Sequence, residues 1–236
     1  MSRLLATAFV LSLNAASVAA GPVADFEAAY DTAYASYRTA LFATNTGDAA
    51  KSIGALQQLD SNWTGLMAQY RASPPPQFED DPLWDMTTGE VRSLLDDAKT
   101  QAAEGDLALA HETLEGIREV LGSLHARNDV ETFSDRMNAY HAEMEAIIGV
   151  GTANMNASVR QSLLERAAVL GYLANDVLSA PPASAAGNPD FAPLAAALQT
   201  SVDNLLAAAR SGDDAALLAA IGALKVPYSK LFLKFG

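Results

Sequence analysis

The chain has three histidines, His111, His125 and His141, and two of them begin the same short pattern. His111 is followed four residues later by Glu115, and His141 is followed four residues later by Glu145. Residues four apart on an α-helix lie on one face, one turn from each other. Each pattern therefore places an imidazole beside a carboxylate, and both groups are ligands for transition metals.

A turn between the two patterns would bring them together. The Ala-Arg-Asn-Asp segment at residues 126–129 predicts such a turn. If the flanking helices fold back antiparallel about it, each histidine faces the glutamate of the other pattern. The sequence therefore predicts a metal site of two nitrogens and two oxygens at this junction, suited to copper, iron or zinc.

Two methionines flank His141 on the same predicted helix, Met137 four residues before it and Met144 three residues after it. Thioether ligands would favour copper in an oxidising compartment. Methionines on an apolar helix face also serve core packing, and a surface His–Glu pair contributes only a few tenths of a kcal/mol, roughly. The residues alone leave both interpretations open, with the candidate metal ligands being His111, Glu115, His141, Glu145, Met137 and Met144.

Helical periodicity runs through almost the whole chain. After Gly105 and Asp106, apolar residues recur at alternating spacings of three and four, the pattern of a buried helix face. No run of useful length alternates with period two. The sequence predicts an all-α antiparallel helical bundle of about eight helices, over residues of about 24–43, 48–71, 83–103, 107–124, 130–148, 157–178, 191–210 and 213–224.

Several features of the chain recur at one constant offset. Four residue pairs are each 107 positions apart, namely Phe26 and Phe133, Trp63 and Leu170, Pro74 and Pro181, and Asp106 and Asp213. Gly-Asp pairs end one helix and cap the next at three places. The sequence therefore predicts two tandem four-helix units of about 107 residues, at 21–127 and 128–236, with one merged eight-helix array as the alternative.

Residues 1–20 have the composition of a secretory signal peptide. Arg3 is followed by an apolar stretch over residues 4–13, and small residues precede Gly21. The Ala-rich, Cys-free composition is typical of a bacterial periplasm. We expect an exported, periplasmic protein with no transmembrane segment beyond this peptide.

The composition also excludes several kinds of site. With no cysteine, thiolate nucleophiles, iron–sulfur clusters and covalently attached haem are excluded. A formal charge of −13 disfavours nucleic-acid binding, because the protein would repel phosphate backbones. The sequence also lacks phosphate-binding loops and common hydrolase motifs. Together with the His–Glu patterns, this favours the hypothesis of a non-enzymatic metal carrier, buffer or delivery partner.

The signal peptide, helix count and bundle size resemble the exported four-helix bundles of the cytochrome b562 and cytochrome c′ type. The resemblance implies fold and compartment only. The c′ type needs a Cys-x-x-Cys-His motif, and the b562 type needs a Met early in the first helix and a His on the last. Neither pattern matches here, so no ligand is carried over. A b-type haem on His141, with a second ligand from another helix, remains an alternative function.

The C-terminal segment differs in charge from the rest of the chain. No acidic residue follows Asp214, whereas Lys225, Lys230 and Lys234 alternate with apolar and aromatic residues. Pro227 is suited to begin a short final helix. The segment could dock on a periplasmic or membrane protein partner or on anionic lipid, or it could simply close the second unit with its lysines towards solvent. A metal-free interaction module is therefore a third possible function.

Overall fold

The computed structural model describes residues 21–236, and the predicted signal peptide lies outside the described residues. Within this range every regular element is helical, which confirms the all-α prediction. The first four helices are α1 (Pro22–Asn45), α2 (Ala49–Tyr70), α3 (Trp84–Ala103) and α4 (Leu107–Arg127).

Local capping explains where these helices begin and end. Gly47 and Gly105 have φ of 73° and 89°, the left-handed conformation that ends a helix at little cost in glycine. The carboxylates of Asp48 and Asp106 then accept backbone N–H groups of the next helix, from Lys51 and Leu109. Helix α1 packs against α2 and α4, and α3 packs against the same two helices.

The remaining helices are α5 (Phe133–Gly151), α6 (Ala157–Ser179), α7 (Phe191–Ser211), α8 (Asp214–Gly222) and α9 (Lys225–Phe235). Two short 3-10 helices, Pro76–Phe78 and Ala183–Ala185, precede α3 and α7 and begin 107 residues apart. Helix α6 packs between α5 and α7, while α8 and α9 pack against both α5 and α7.

The last two helices follow the prediction of one helix over 213–224 and a short final helix begun by Pro227, with shifts of about two residues at the boundary. Helix α8 ends at Gly222, and α9 begins at Lys225, two residues before Pro227. The physical reason for the break between α8 and α9 is Pro227. A proline lacks a backbone N–H, and in a continuous helix its ring would clash with the carbonyl of Ala223. After this break α9 also reaches α1.

The segment Asp214–Phe235 bears on the expectation that no transmembrane segment follows the signal peptide. By length and composition alone it could cross a membrane, with a mean hydropathy of 1.4 in its most apolar window, of which 33% is buried. Tyr228, Leu231 and Phe232 of this segment are packed into the protein core. The segment is therefore an apolar C-terminal pair of helices. Its length and hydropathy are only weak evidence for a membrane span.

The buried apolar side chains form one connected core from Phe26 to Phe235. Aliphatic side chains predominate in it, and both α1–α4 and α5–α9 also contribute buried aromatic rings. The chain reverses at Asn128 and at Asp129, whose φ is 54°. Helices α4 and α5 diverge after this reversal, and an open groove of about 800 Å³ lies between them.

Candidate functional site

A small cavity of about 110 Å³ lies where α1, α4, α5 and α9 meet, and we call it the junction cavity. Five of the six side chains predicted as metal ligands line it, namely His111, Glu115, His141, Met144 and Glu145. The sixth, Met137, is fully buried in the core of the protein and is not among the lining residues.

The α4 side of the cavity begins with His111. Its Nδ1 lies 3.1 Å from the Thr44 hydroxyl on α1, and its Nε2 lies 3.6 Å from a carboxylate oxygen of Glu115. Glu115 also accepts two hydrogen bonds, of 3.1 and 3.3 Å, from the guanidinium of Arg118 one turn further along α4. The carboxylate is therefore already paired with a cation.

Arg118 also connects α4 to α5. Its side chain is only 10% exposed, and its Nη1 donates to Nδ1 of His141 over 2.5 Å. Because arginine can only donate, this Nδ1 must accept, so the imidazole is neutral with its proton on Nε2. That nitrogen lies 3.6 Å from the Glu145 carboxylate. The guanidinium also lies over the Phe232 ring of α9, 5.5 Å from its centre.

The neutral state of His141 agrees with its surroundings. Burial, together with the positive charge of Arg118 and Lys225 and the nearby His111, lowers the pKa of His141 to about 3. The ring also stacks on Tyr228 of α9, with ring centres 5.1 Å apart. This histidine is therefore held as a hydrogen-bond acceptor in a mainly cationic environment.

Helix α9 supplies the remaining wall of the cavity. Lys225 pairs with Glu145 over 3.0 Å. Burial raises the pKa of Tyr228 well above its ordinary value, so its hydroxyl stays protonated. Within residues 21–236, two buried polar atoms of the lining have no hydrogen-bond partner, the Nε of Arg118 and the hydroxyl of Tyr228.

The structure differs from the predicted arrangement of ligands. Both His–Glu patterns reach one cavity, but Arg118 lies between them and occupies Glu115 and the Nδ1 of His141. Across residues 21–236, no three or more His, Cys, Asp or Glu side chains are grouped so that they could hold a metal ion. The physical reason is that Arg118 neutralises the Glu115 carboxylate, which would otherwise be a partly buried charge without a partner.

The lining residues outside the predicted ligand set include three cations and a phenol, namely Arg38, Arg118, Lys225 and Tyr228. A signal for one of them exists, because Arg118 lies three residues after Glu115 and such pairs share a helix face. The others come from α1 and α9, and nothing in their local sequence indicates that they meet α4 and α5.

His125 has a separate role from the two cavity histidines. It is buried, and its Nδ1 lies 2.9 Å from the Asp135 carboxylate at the start of α5. Its ring stacks on Phe78 with centres 6.0 Å apart. Asp135 in turn forms a capping box with Thr132. This histidine therefore ties the end of α4 to the start of α5, instead of interacting only with the end of its own helix.

Comparison of the chain with protein-family models, curated protein sequences and solved structures finds no significant match.

Proposed function

We propose that the protein is a non-enzymatic, exported binding protein that holds a small oxyanion, a carboxylate or a phosphate, in the junction cavity. The signal-peptide pattern of residues 1–20 supports export to the periplasm. The single observation that carries the proposal is the pair of unpartnered buried groups in the cavity lining, the Nε of Arg118 and the Tyr228 hydroxyl, as found within residues 21–236.

These two groups favour a ligand that accepts hydrogen bonds. The Nε–H of Arg118 can only donate, and leaving it buried without an acceptor costs about 1–3 kcal/mol or more. A cation cannot satisfy it. The oxygens of a carboxylate or phosphate can, and arginine binds these groups with favourable geometry.

The charge of the lining supports the same ligand. Three cations, Arg38, Arg118 and Lys225, line the cavity against two carboxylates, which are already paired with Arg118 and Lys225. Arg38 donates through its Nε to the Leu233 carbonyl at 3.4 Å, and the charge of Asp31 acts on its guanidinium. A positive site on a protein of formal charge −13 indicates an anionic ligand.

The proposal is tested by thermal unfolding of the chain from Gly21 onward in inorganic phosphate, acetate or chloride at equal ionic strength. Phosphate or acetate should raise the melting temperature in a saturable way, because a ligand bound only to the folded state stabilises it, whereas chloride should not. If neither anion stabilises the fold more than chloride does, the proposal is wrong.

Two tyrosine variants provide a matched pair. Tyr228→Phe removes only the unpartnered hydroxyl, so it should leave the ligand-free fold as stable as wild type and weaken anion binding by about tenfold. Tyr140→Phe is the control, because Tyr140 is buried, stacks on Tyr228 at 5.7 Å and lies outside the cavity lining. An equal loss of affinity in both variants would mean that the effect comes from packing.

A transition metal is the second candidate ligand, favoured by the five predicted ligands that line one cavity. Binding would require Arg118 to release Glu115 and His141, and Lys225 to release Glu145. Calorimetric titration with Cu(II), Zn(II) and Fe(II) tests this directly. A metal carrier should bind more tightly than about 10 μM and lose binding when His111 and His141 are both changed to Ala. The haem alternative gains no support from this cavity. Its volume of about 110 Å³ is well below the roughly 300–1,000 Å³ of pockets that hold cofactors and drug-sized molecules.

We also propose that the chain is built from two tandem four-helix units fused at residue 128. The cavity lining supports this, because Arg38 and Glu145 are equivalent positions of the repeat, and so are Arg118 and Lys225. Matching positions of the two units thus meet at the same cavity. The connected core favours two fused units over two separate ones.

A further inference from the structure

Helix α8 is apolar around its whole circumference, yet most of it is exposed. Between Asp214 and Lys225 it carries no charged residue. Only Leu217 and Ile221 of this helix are buried. A helix that is hydrophobic on every side is ordinarily buried or membrane-associated, so the exposed part of α8 lacks a partner among the described residues.

The exposed apolar surface continues across the break into α9. Leu218 is 45% exposed and Val226 is 59% exposed. Small residues fill the space between them, and a shallow groove of about 670 Å³ runs beside α7. We call this surface the α8–α9 face, and its residues are Ala215, Leu218, Ala219, Gly222, Ala223 and Val226.

The charges around this face are basic. Lys225 is half-exposed and paired with Glu145 over 3.0 Å, whereas Lys230 is exposed with no carboxylate within 4 Å in residues 21–236. No acidic residue follows Asp214, and that carboxylate is paired with Arg160. The face is thus an apolar surface with a basic border on an otherwise acidic protein.

We propose that the α8–α9 face docks on an anionic lipid surface. An apolar helix face enters the headgroup region while bordering lysines are attracted to anionic lipids, and the length and hydropathy of the segment are compatible with such an environment. A second copy of the chain is disfavoured as occupant, because the α8–α9 face contains no acidic side chain that could pair with the lysines of the other copy.

The proposal is tested by sedimentation of the chain from Gly21 onward with phosphatidylcholine vesicles, with and without phosphatidylglycerol. Wild-type protein should bind the vesicles that contain phosphatidylglycerol, and binding should weaken as salt increases. Val226→Asp should reduce vesicle affinity by about tenfold or more, and Lys230→Gln by about fivefold. Both side chains are exposed, so neither change should affect folding.

Two control variants separate the α8–α9 face from general surface effects. Val169→Asp introduces the same charge at a 48% exposed valine of α6, and Lys51→Gln removes an exposed lysine of α2. Both should bind vesicles like wild type. The proposal is overturned if wild-type protein ignores anionic vesicles, if it binds neutral ones equally, or if Val169→Asp loses as much affinity. A dimer that Val226→Asp dissociates, without vesicle binding, would assign the face to a second copy instead.

Discussion

Helix α4 and the pair α8–α9 begin at equivalent positions of the proposed repeat, Leu107 and Asp214, but only α4 is continuous. Position 227 is a proline, whereas position 120, its counterpart in α4, is a valine. The continuous helix carries His111, Glu115 and Arg118 along one face. The broken helix sends α9 towards α1, which brings Tyr228 and Lys225 to the same cavity. One proline thus separates α8 from α9, and α9 forms a wall of the junction cavity.

The largest expected effect is on the free energy of unfolding, and it compares how strongly α9 and α4 are packed into the core. Leu124 in α4 and Leu231 in α9 are equivalent positions of the proposed repeat and are 2% and 0% exposed. Truncation of either to Ala should cost about 2–5 kcal/mol, because each change leaves a cavity in a packed core. Denaturant unfolding of both variants measures the two costs. If Leu231→Ala costs less than about 1 kcal/mol, α9 is only loosely attached.

The next effect concerns His141, whose counterpart in the proposed repeat is Tyr34. Its pKa is lowered from 6.5 to about 3 in the fold, so between these values the unfolded chain binds a proton that the folded chain does not. Stability contributed by the neutral imidazole is therefore lost as pH falls, by about 2 kcal/mol from about pH 6.5 to about pH 5.

Comparison with His141→Gln isolates this contribution. Chemical unfolding of both proteins across this pH range should show the stability difference shifting against wild type in acid, by about 2 kcal/mol. A difference that stays constant with pH would mean that the imidazole titrates normally in the folded protein, and that Arg118 does not hold it neutral.

The smallest expected effect compares the caps of the two helices. Asp106 accepts the backbone N–H of Leu109, whereas Asp213 accepts those of Ala215 and Ala216. Changing either to Ala should lower the unfolding free energy by about 1 kcal/mol, since each helix loses a cap. Thermal unfolding can rank the two variants, and a loss confined to Asp106→Ala would show that α8 needs no cap.

Most of the secondary structure could be predicted from sequence because its determinants are local. The predicted start of α4 at residue 107 follows directly from the Asp106 cap, and the Gly-Asp pairs mark other boundaries equally well. The predicted start of α5, at Val130, is three residues early, because apolar periodicity does not register the capping box of Thr132 and Asp135. The break at 223–224 is indicated by Pro227, and the packing of α9 against α1 is not.

The candidate site could be predicted only in part. The i, i+4 spacing correctly identifies which side chains of α4 and α5 share a face with one another, and five of the predicted ligands line the cavity. The long side chain of Arg118 could extend into solvent or bind Glu115 and His141. The spacing of residues in the sequence does not determine which of these occurs. Tyr228 and Lys225 reach the site through tertiary packing, so their local sequence carries no sign of it.

The hydrogen bond from Arg38 to the Leu233 carbonyl joins residues 195 positions apart, and this separation has a consequence for the order of folding. A chain that leaves the ribosome or a translocation channel N-terminus first exposes α1, α4 and α5 well before α9. The cavity cannot close until α9 has emerged, because contacts of such long range form only after both partners are present. Under the export and anion binding proposed above, the protein would complete the junction cavity only after crossing the membrane, and so would acquire the anion at its destination.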